Sequence, residues 1–386
     1  MRLRCISMLV LAAAWMAQVA LAAPVKFTLL LRQDDPRLER ARVERAYFGQ
    51  PGGPASDGLQ LALKEAQLEL DSAGASVVLE VVPVGSAQAA RDAAAKAEKA
   101  GVAALAADLP ADWLLAAADA VKLPLLNVGD PSDRLREQDC RPRVWHVIPS
   151  ERMRADALAQ ALVARRWTQV LLLTGPNAGD RERSAVAQNA IRRYGLKLAA
   201  SRPFKLSADP REREMANVSL LTQGSYDVVW VIDGDGEFAR SVPYRTALPR
   251  PVVGDAGLAA LAWHTQFERF GAPQVSRRFA RAARRPMLAN DWAAWLAGKA
   301  LAAAAAATPK GPAAAIGKAL ADIELDGSKG VTMSFRPWDG QLRQPLLLTD
   351  GQGVIDLAPA DGVLHPKNNL DTLGVDAPEK LCKARP

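Results

Sequence analysis

The sequence predicts an α/β protein in which each of two lobes holds a mostly parallel β-sheet flanked by helices. Continuous apolar runs alternate with helical stretches, which is typical of parallel strands buried on both faces. The alternation pauses in the proline-containing segment 129–149 and then restarts, so the pattern indicates two α/β units. A length of 386 residues also favours two domains over one.

The first series of elements lies between residues 26 and 128. Ser86 precedes an alanine-rich stretch and is well placed to cap a helix. Apolar runs predict strands and the stretches between them predict helices: strands at 26–31, 76–84, 102–107 and 124–128, helices at 56–70, 87–100 and 111–121.

The second series begins at Ser150, which caps a helix with apolar residues at helical spacing. Asp209-Pro210-Arg211-Glu212 has the N-cap, the proline and the acid of a capping box, and so predicts a helix to about Leu221. This series has predicted strands at 170–174, 197–203, 228–232 and 251–253, and helices from 150, at 180–194 and at 209–221.

The last third of the chain has a different order. Helices are expected at 276–307, interrupted at Pro286, and at 312–321, followed by short strands at 331–335 and 344–349. We therefore assign 23–144 plus 263–330 to lobe 1 and 145–262 plus 331–357 to lobe 2. Residues 358–386 show little periodicity and predict a C-terminal tail that wraps the surface.

Residues 1–22 have the pattern of a secretory signal peptide. Arg2 and Arg4 precede an apolar stretch, and Ala20-Leu21-Ala22 is a small-x-small cleavage site. We place cleavage after Ala22, with Ala23 as the near alternative. A membrane anchor would need about 18–20 apolar residues, and Gln18 interrupts a run that is already too short. We therefore expect an exported, periplasmic protein.

The charge and the cysteine content of the chain argue against a nucleic-acid partner and in favour of one disulfide. The formal charge of +7 falls by two when the leader's arginines are removed, and no nucleic-acid recognition motif is present. We therefore expect no nucleic-acid partner. Cys140 and Cys382 remain after cleavage, and in an oxidising compartment they predict one disulfide, with two free thiols as the alternative.

The connection at 32–55 is far longer than the usual two to six residues between a strand and its helix. It carries many arginines and acids, followed by Tyr47 and Phe48. A loop at the carboxyl end of a strand opens onto the place where α/β sheets bind ligands. A ligand-contacting loop and a solvated surface excursion both remain compatible with this pattern.

The sequence contains partial matches to two cofactor- or metal-binding motifs, and each match lacks a required residue or element. Residues 232–239 contain GxGxxA after a strand, as in a dinucleotide-binding turn, but Pro243 cuts the following helix short. Phe238 stands where an EF-hand requires glycine. The three histidines have no metal-binding spacing, and there is no nucleophile elbow or phosphate loop. The sequence therefore predicts neither enzyme activity nor a cofactor.

The crossover Trp145-His146-Val147-Ile148-Pro149 and the helical block near Asn290-Asp291-Trp292 carry a resemblance. On an exported two-lobe chain they resemble the type I periplasmic solute-binding proteins of ABC transporters, above all the branched-chain amino-acid-binding type. The resemblance implies a monomer that closes two hinged lobes on a small ligand and presents it to an inner-membrane permease.

A narrower resemblance rests on the arginine-rich loop, Asp139-Cys140 and the ending Asp371-Thr372-Leu373-Gly374-Val375-Asp376 with Cys382. These are similar to the binding proteins associated with PQQ-dependent alcohol dehydrogenase systems. The resemblance therefore implies the substrate-binding component of an ABC importer linked to PQQ-dependent alcohol oxidation. The alternative is an interaction or regulatory protein that kept the binding fold without a small-molecule ligand.

The ligand expected from the family is not the one expected from these residues. Amino-acid binders of this type hold the ligand carboxylate with small hydroxyl residues after the third and fourth strands. Here Asp108-Leu109-Pro110 and Asn127-Val128-Gly129-Asp130 stand in those places, and Gly175-Pro176-Asn177-Ala178 replaces the usual aromatic residue. An excess of carboxylates favours a cationic or polyhydroxylated ligand, or a metal complex held by oxygen ligands.

The candidate ligand-binding residues follow predicted strand ends in both lobes. Asp and Asn side chains also cap helices and form turns, which is the alternative role for several of them. The candidates are Arg32, Asp34, Tyr47, Asp108, Asn127 and Asp130 in lobe 1, and Asn177, Asp233, Asp235, Glu237 and Asp255 in lobe 2.

Overall fold

The computed structural model describes residues 23–309 and 311–385, and the expected signal peptide at 1–22 lies outside them. Strands and helices alternate through most of this part of the chain. The strands are β1 Val25–Arg32, β2 Val77–Val84, β3 Ala104–Asp108, β4 Leu125–Asn127, β5 Val144–His146, β6 Gln169–Thr174, β7 Lys197–Pro203, β8 Val228–Ile232, β9 Val252–Gly254, β10 Ala259–Leu261, β11 Leu325–Asp326, β12 Thr332–Met333, β13 Leu346–Thr349 and β14 Val354–Ala358.

The helices cover the faces of the sheets. The α-helices are α1 Arg40–Arg45, α2 Ser56–Glu65, α3 Gln67–Ser72, α4 Ala87–Lys99, α5 Ala111–Asp119, α6 Glu151–Ala164, α7 Ala178–Arg193, α8 Val218–Leu221, α9 Ala272–Ala283, α10 Ala289–Ala307 and α11 Ala313–Asp322. Short 3-10 helices lie at Pro36–Leu38, Asp133–Leu135, Pro210–Ala216, Ala239–Tyr244, Asn369–Thr372 and Ala377–Glu379. Within the described residues, no helix has the length and apolar character needed to cross a membrane.

The first sheet has the order β2-β1-β3-β4-β5, and all its pairs are parallel. Alternate residues of β1 face opposite layers: Leu29 packs with α2 and α10, whereas Leu30 packs with α4 and α5. Gly58 of α2 lies against the backbone of α10, so the alanine-rich helix approaches closely. The predicted α/β fold of lobe 1 is confirmed.

The second parallel sheet has the order β7-β6-β8-β9. Helix α6 packs between this sheet and an antiparallel sheet of order β10-β13-β14. Its buried residues surround the helix rather than forming one stripe. Ser150 caps α6 by accepting a hydrogen bond from the Met153 amide at 3.2 Å, and Ser86 caps α4 in the same way.

Three local predictions are wrong. Strand β5 lies inside the segment that we predicted as an irregular crossover, because the neighbouring β4 offers it a partner that local sequence does not reveal. The helix predicted at 209–221 is a 3-10 helix followed by α8, because Asn217 is extended and caps a new start. The tail after Ala358 packs inward as well as over the surface, with Leu373 fully buried.

The tail is anchored by a buried cation. Arg336 is fully buried, and its guanidinium donates to the Leu370 and Leu373 carbonyls at 2.7 Å each. It also donates to the Asp371 carboxylate at 2.9 Å. The predicted disulfide joins Cys140 to Cys382 across 242 positions, so the last residues are tied to the segment before β5.

Candidate functional site

The carboxyl ends of the parallel strands lie beside two adjoining cavities, one next to each sheet, and we call this region the cleft. Because all strands of each sheet run the same way, their following loops lie at one edge, where α/β proteins bind ligands. Asp108 ends β3 at this edge of the first sheet, and Asp233 follows β8 at the edge of the second.

The long loop after β1 crosses this cleft. The Arg42 guanidinium donates to the Gly234 carbonyl at 2.7 Å, and the Arg240 guanidinium donates to the Glu44 carbonyl at 2.9 Å. These residues are about two hundred positions apart in the chain, so the loop bridges the two sheets. It has a cavity on either side, which we call the polar cavity and the apolar cavity.

The polar cavity has a volume of about 630 Å³ and lies mainly against the second sheet. Arg183 of α7 pairs with Asp180 at 2.9 Å and with Asp255 at 2.8 Å. Burial opposes the charge of Arg183, but these carboxylates outweigh it and raise its pKa. Glu151 of α6 is 3.4 Å from Arg154, and burial raises the pKa of the Glu151 carboxyl.

Several carboxylates of the polar cavity are partly used by the backbone. Asp255 accepts from the Asp233 amide at 2.6 Å, and Asp233 accepts from the Ala239 amide at 2.9 Å. Asn177 caps α7 and donates to Asp235 at 3.0 Å. These residues therefore hold the turn after β8 at the edge of the polar cavity.

The apolar cavity has a volume of about 290 Å³ and lies between the loop, Leu261–Thr265 and the start of α10. Its polar end is Arg37 between two carboxylates. Arg37 donates to both oxygens of Asp35, the shorter contact being 2.5 Å, and to Oδ1 of Asp108 at 2.6 Å. Burial raises the pKa of Asp108 despite the opposing effect of Arg37, and Asp35 and Asp130 raise it further.

The structure brings five of the eleven predicted residues together in one cavity and places a sixth in the other. Tyr47, Asn177, Asp233, Asp235 and Asp255 line the polar cavity, and Asp108 lines the apolar one. Glu237 lies in an exposed groove beside Tyr47. Whether any of these contacts a ligand stays a prediction.

Four lobe 1 candidates line neither cavity. Arg32 stacks on Trp113, with its guanidinium 5.5 Å from the ring centre. Asp34 has φ 53° and forms a turn in the loop. Asn127 accepts from the Gly129 and Asp130 amides, and Asp130 accepts from the Ala111 amide at the start of α5. These last two have the capping and turn roles that were the alternative at the sequence level.

Sequence reasoning missed the residues that act through long-range contacts. Arg37 and Arg42 were noted only as part of a charged loop, although each bonds to a strand end. Arg183 and Glu151 lie on helices whose local pattern gave no reason to select them. Trp263 lies outside any predicted strand end and has no local signal of a site, yet it forms a wall of the apolar cavity.

A metal site made by the protein alone is not found among the described residues. No group of three or more His, Cys, Asp or Glu side chains there is arranged to hold a metal ion. The carboxylates of the cleft are engaged by Arg37, Arg183 and backbone amides instead.

The fold of the described chain is shared with solved binding proteins. A periplasmic binding protein from Burkholderia mallei covers 94% of this chain and 99% of its own, with a TM-score of 0.65 at 12% identity. The chain has the two-lobe fold of the periplasmic binding proteins. A solute-binding protein of an ABC transporter from R. palustris, solved with benzoate, has a TM-score of 0.63 at 15% identity, covering 87% of this chain and 96% of that one.

A third structure of this kind is an ABC transporter substrate-binding protein from Desulfitobacterium hafniense in complex with Leu. It has a TM-score of 0.64 at 16% identity and covers 87% of this chain and 100% of its own. No protein-family model and no curated protein sequence matches the chain. Similarity at these sequence identities establishes the fold alone. The benzoate and leucine bound by these proteins are not thereby assigned to this chain.

Proposed function

We propose that this protein is the periplasmic substrate-binding component of an ABC importer and has no catalytic activity of its own. Two adjoining cavities carry the proposal, one beside the end of β3 in the first sheet and one beside the end of β8 in the second, because a ligand that touches both lobes shifts the population toward a closed form. The likeness to solved solute-binding proteins of ABC transporters supports it. The partner would be an inner-membrane permease, with the binding protein acting as a monomer.

We propose the lobe division 23–144 plus 263–330 and 145–262 plus 331–357, with the tail at 358–386. The first boundary falls inside β5, which pairs with β4 of the first sheet. Gln341 Nε2 donates to the His146 carbonyl at 3.1 Å and to the Ile148 carbonyl at 3.2 Å. Two connecting segments are thereby tied side by side, which is a suitable place for a hinge.

The charges of the cleft support a cationic or polyhydroxylated ligand, or a metal complex. In the polar cavity Asp180, Asp233, Asp235 and Asp255 outnumber the nearby arginines, and much of the arginine charge is already paired. A carboxylate entering this space would meet more acids than free donors.

A link to PQQ-dependent alcohol oxidation is the finer part of the proposal and rests on the sequence resemblance. Its test is genetic. A strain lacking the gene should lose growth on alcohols as sole carbon source and keep growth on an unrelated carbon source. Equal growth of the mutant and parent strains on both would remove this link.

The second candidate is a regulatory interaction protein, favoured by the loop that crosses the cleft. Arg37 and Arg42 satisfy groups at two strand ends that a ligand would otherwise contact. In that case the loop takes the place of a ligand and a partner protein binds the outer surface.

Calorimetry on the mature protein separates these two candidates. The titrants are alcohols, amines, amino acids, carboxylic acids, sugars and metal ions. Gly179→Trp provides a blocked cavity, because Gly179 lines the polar cavity with open space around it. Lys96→Trp on the exposed face of α4 is the matched control. Silence across the panel, with co-purification of a partner that is not a transporter, would overturn the transport proposal.

A further inference from the structure

The apolar cavity has an apolar wall and carries the Arg37–Asp108 pair at one end, while Gln50, His264, Thr265 and Asn290 also line it. Its wall is formed by Leu38, Phe48, Leu261, Trp263, Met287 and Leu288. Trp263 and Met287 are fully buried, so this wall belongs to the core of the fold. At about 290 Å³ the space suits a small molecule with an apolar body.

The Asp108 carboxylate at the polar end is buried and only half satisfied. Asp108 is 6% exposed, and among the described residues only Arg37 donates to its side chain, at Oδ1. Its Oδ2 therefore has no donor within the described chain. This oxygen keeps some contact with solvent, whereas Trp263 Nε1 in the cavity wall is a buried donor without a partner among the described residues; a donor on a ligand would replace water at Oδ2.

The position of this carboxylate is fixed by packing. Gly129 lies directly against Asp108, and a Cβ at that position would be 2.9 Å from the Asp108 Cα and closer still to its Oδ1. The side chain therefore cannot turn away from the cavity toward the loop after β4. Arg37 holds it from the other side.

At the polar end of the cavity, two carboxylates share one cation in direct contact. Arg37 pairs with both Asp35 and Asp108, and the Arg32 charge adds a longer-range attraction on Asp35. Asp291 at the start of α10 is paired with Arg285 at 2.7 Å. Burial lowers the pKa of His264, which disfavours the charged form of this side chain.

We propose that the apolar cavity binds a small organic ammonium compound, whose amine donates to Asp108 Oδ2 while its apolar body lies against Trp263 and Met287. This inference rests on the proposed function and names the ligand class of that cleft. A carboxylate of the same shape is rejected, because it would face Asp35 and Asp108 and find the Arg37 charge already used. An alcohol satisfies the same oxygen without compensating its charge and binds more weakly.

The test is calorimetry on the mature protein with two series that differ only in the head group. One series is benzylamine, benzyl alcohol and benzoate, and the other is hexylamine, hexanol and hexanoate. In at least one series the amine should bind at least tenfold more tightly than the carboxylate, with the alcohol between them. Tighter binding of either carboxylate, or no binding of either amine, would overturn the inference.

Variants locate the binding to this cavity. Asp108→Asn should weaken amine binding at least tenfold and alcohol binding less than threefold, because the amide keeps the shape and removes the charge. Asp92→Asn, on the exposed face of α4 and outside both cavities, is the control and should leave both unchanged. Unchanged amine affinity in a folded Asp108→Asn protein would overturn the inference. If Asp108→Asn fails to fold, Gln50→Trp takes its place, because Gln50 lines the same cavity from the loop and a tryptophan there narrows it. Gln50→Trp should abolish amine binding, and undiminished amine binding would overturn the inference.

The inference and the proposed function fail in different ways. One outcome is that neither amine binds, while a sugar or another solute from the wider panel binds and closes the lobes. The ligand class is then wrong and the transport function stands. If nothing in either set binds, both are contradicted.

Discussion

Replacing Cys382 with serine should destabilise the whole protein rather than loosen its end. The disulfide joins Cys140 and Cys382, whose Cα atoms are 5.6 Å apart, across 242 positions. Closing a loop of this length in the unfolded chain is worth about 5 kcal/mol in the chain-entropy account, and measured values are often smaller. We therefore expect Cys382→Ser to lower the free energy of unfolding by about 3–5 kcal/mol.

The tail should remain in place in that variant. Arg336 still holds the Leu370 and Leu373 carbonyls and the Asp371 carboxylate, and Leu373 stays buried. Because only the unfolded state changes, Cys140→Ser, Cys382→Ser and the double variant should lose the same stability. Ligand affinity should change far less than stability, since neither cysteine lines the polar or the apolar cavity.

Urea unfolding followed by tryptophan fluorescence measures this loss. Thiol titration of the denatured, unreduced wild-type protein is the direct control and should find no reactive thiol. Two reactive thiols per mature chain would refute the bond. A Cys382→Ser loss much larger than that of Cys140→Ser would show that the tail itself, rather than loop closure, carries the effect.

Two further substitutions test the geometry of the cleft. Gly129→Ala should lower the free energy of unfolding by about 1–3 kcal/mol, because the new Cβ would displace Asp108. Gly179→Ala, in open space on α7, is the control and should leave the free energy of unfolding unchanged or raise it in the same urea experiment. Arg42→Ala should speed tryptic cleavage after Arg45 several-fold, because the bond to the Gly234 carbonyl is lost. Arg40→Ala is the control, since among the described residues Arg40 pairs with Glu44 of the same helix and with no other acid. Equal cleavage in both variants would contradict a bridging role.

Most helices and strands could be predicted from the sequence because the signals that mark them lie within the element or at its ends. Apolar runs and caps such as Ser86 and Ser150 mark elements independently of the rest of the chain. Strand β5 was missed because three residues carry no pattern, and its pairing with β4 is what makes it a strand. The inward packing of the tail was missed because Arg336, more than thirty residues away, provides its anchor.

The candidate site was only partly predictable for the same reason. Strand ends such as Asp108 and Asp233 are visible in sequence, since the parallel pattern places them at one edge of a sheet. The contact from Arg42 to Gly234 joins residues 192 positions apart, and nothing local indicates it. The loop held by that contact lines both cavities, so the shape of the site became visible only with the fold.

Hydrogen–deuterium exchange with a bound ligand tests the central claim, a ligand held between two lobes, most directly. The ligand is the titrant that gives the strongest binding in calorimetry, added at saturation to the mature protein. We predict slower exchange in the loops after β3 and after β8 together, because closure buries strand ends of both sheets. Protection confined to one sheet, or none at saturation, would contradict the account.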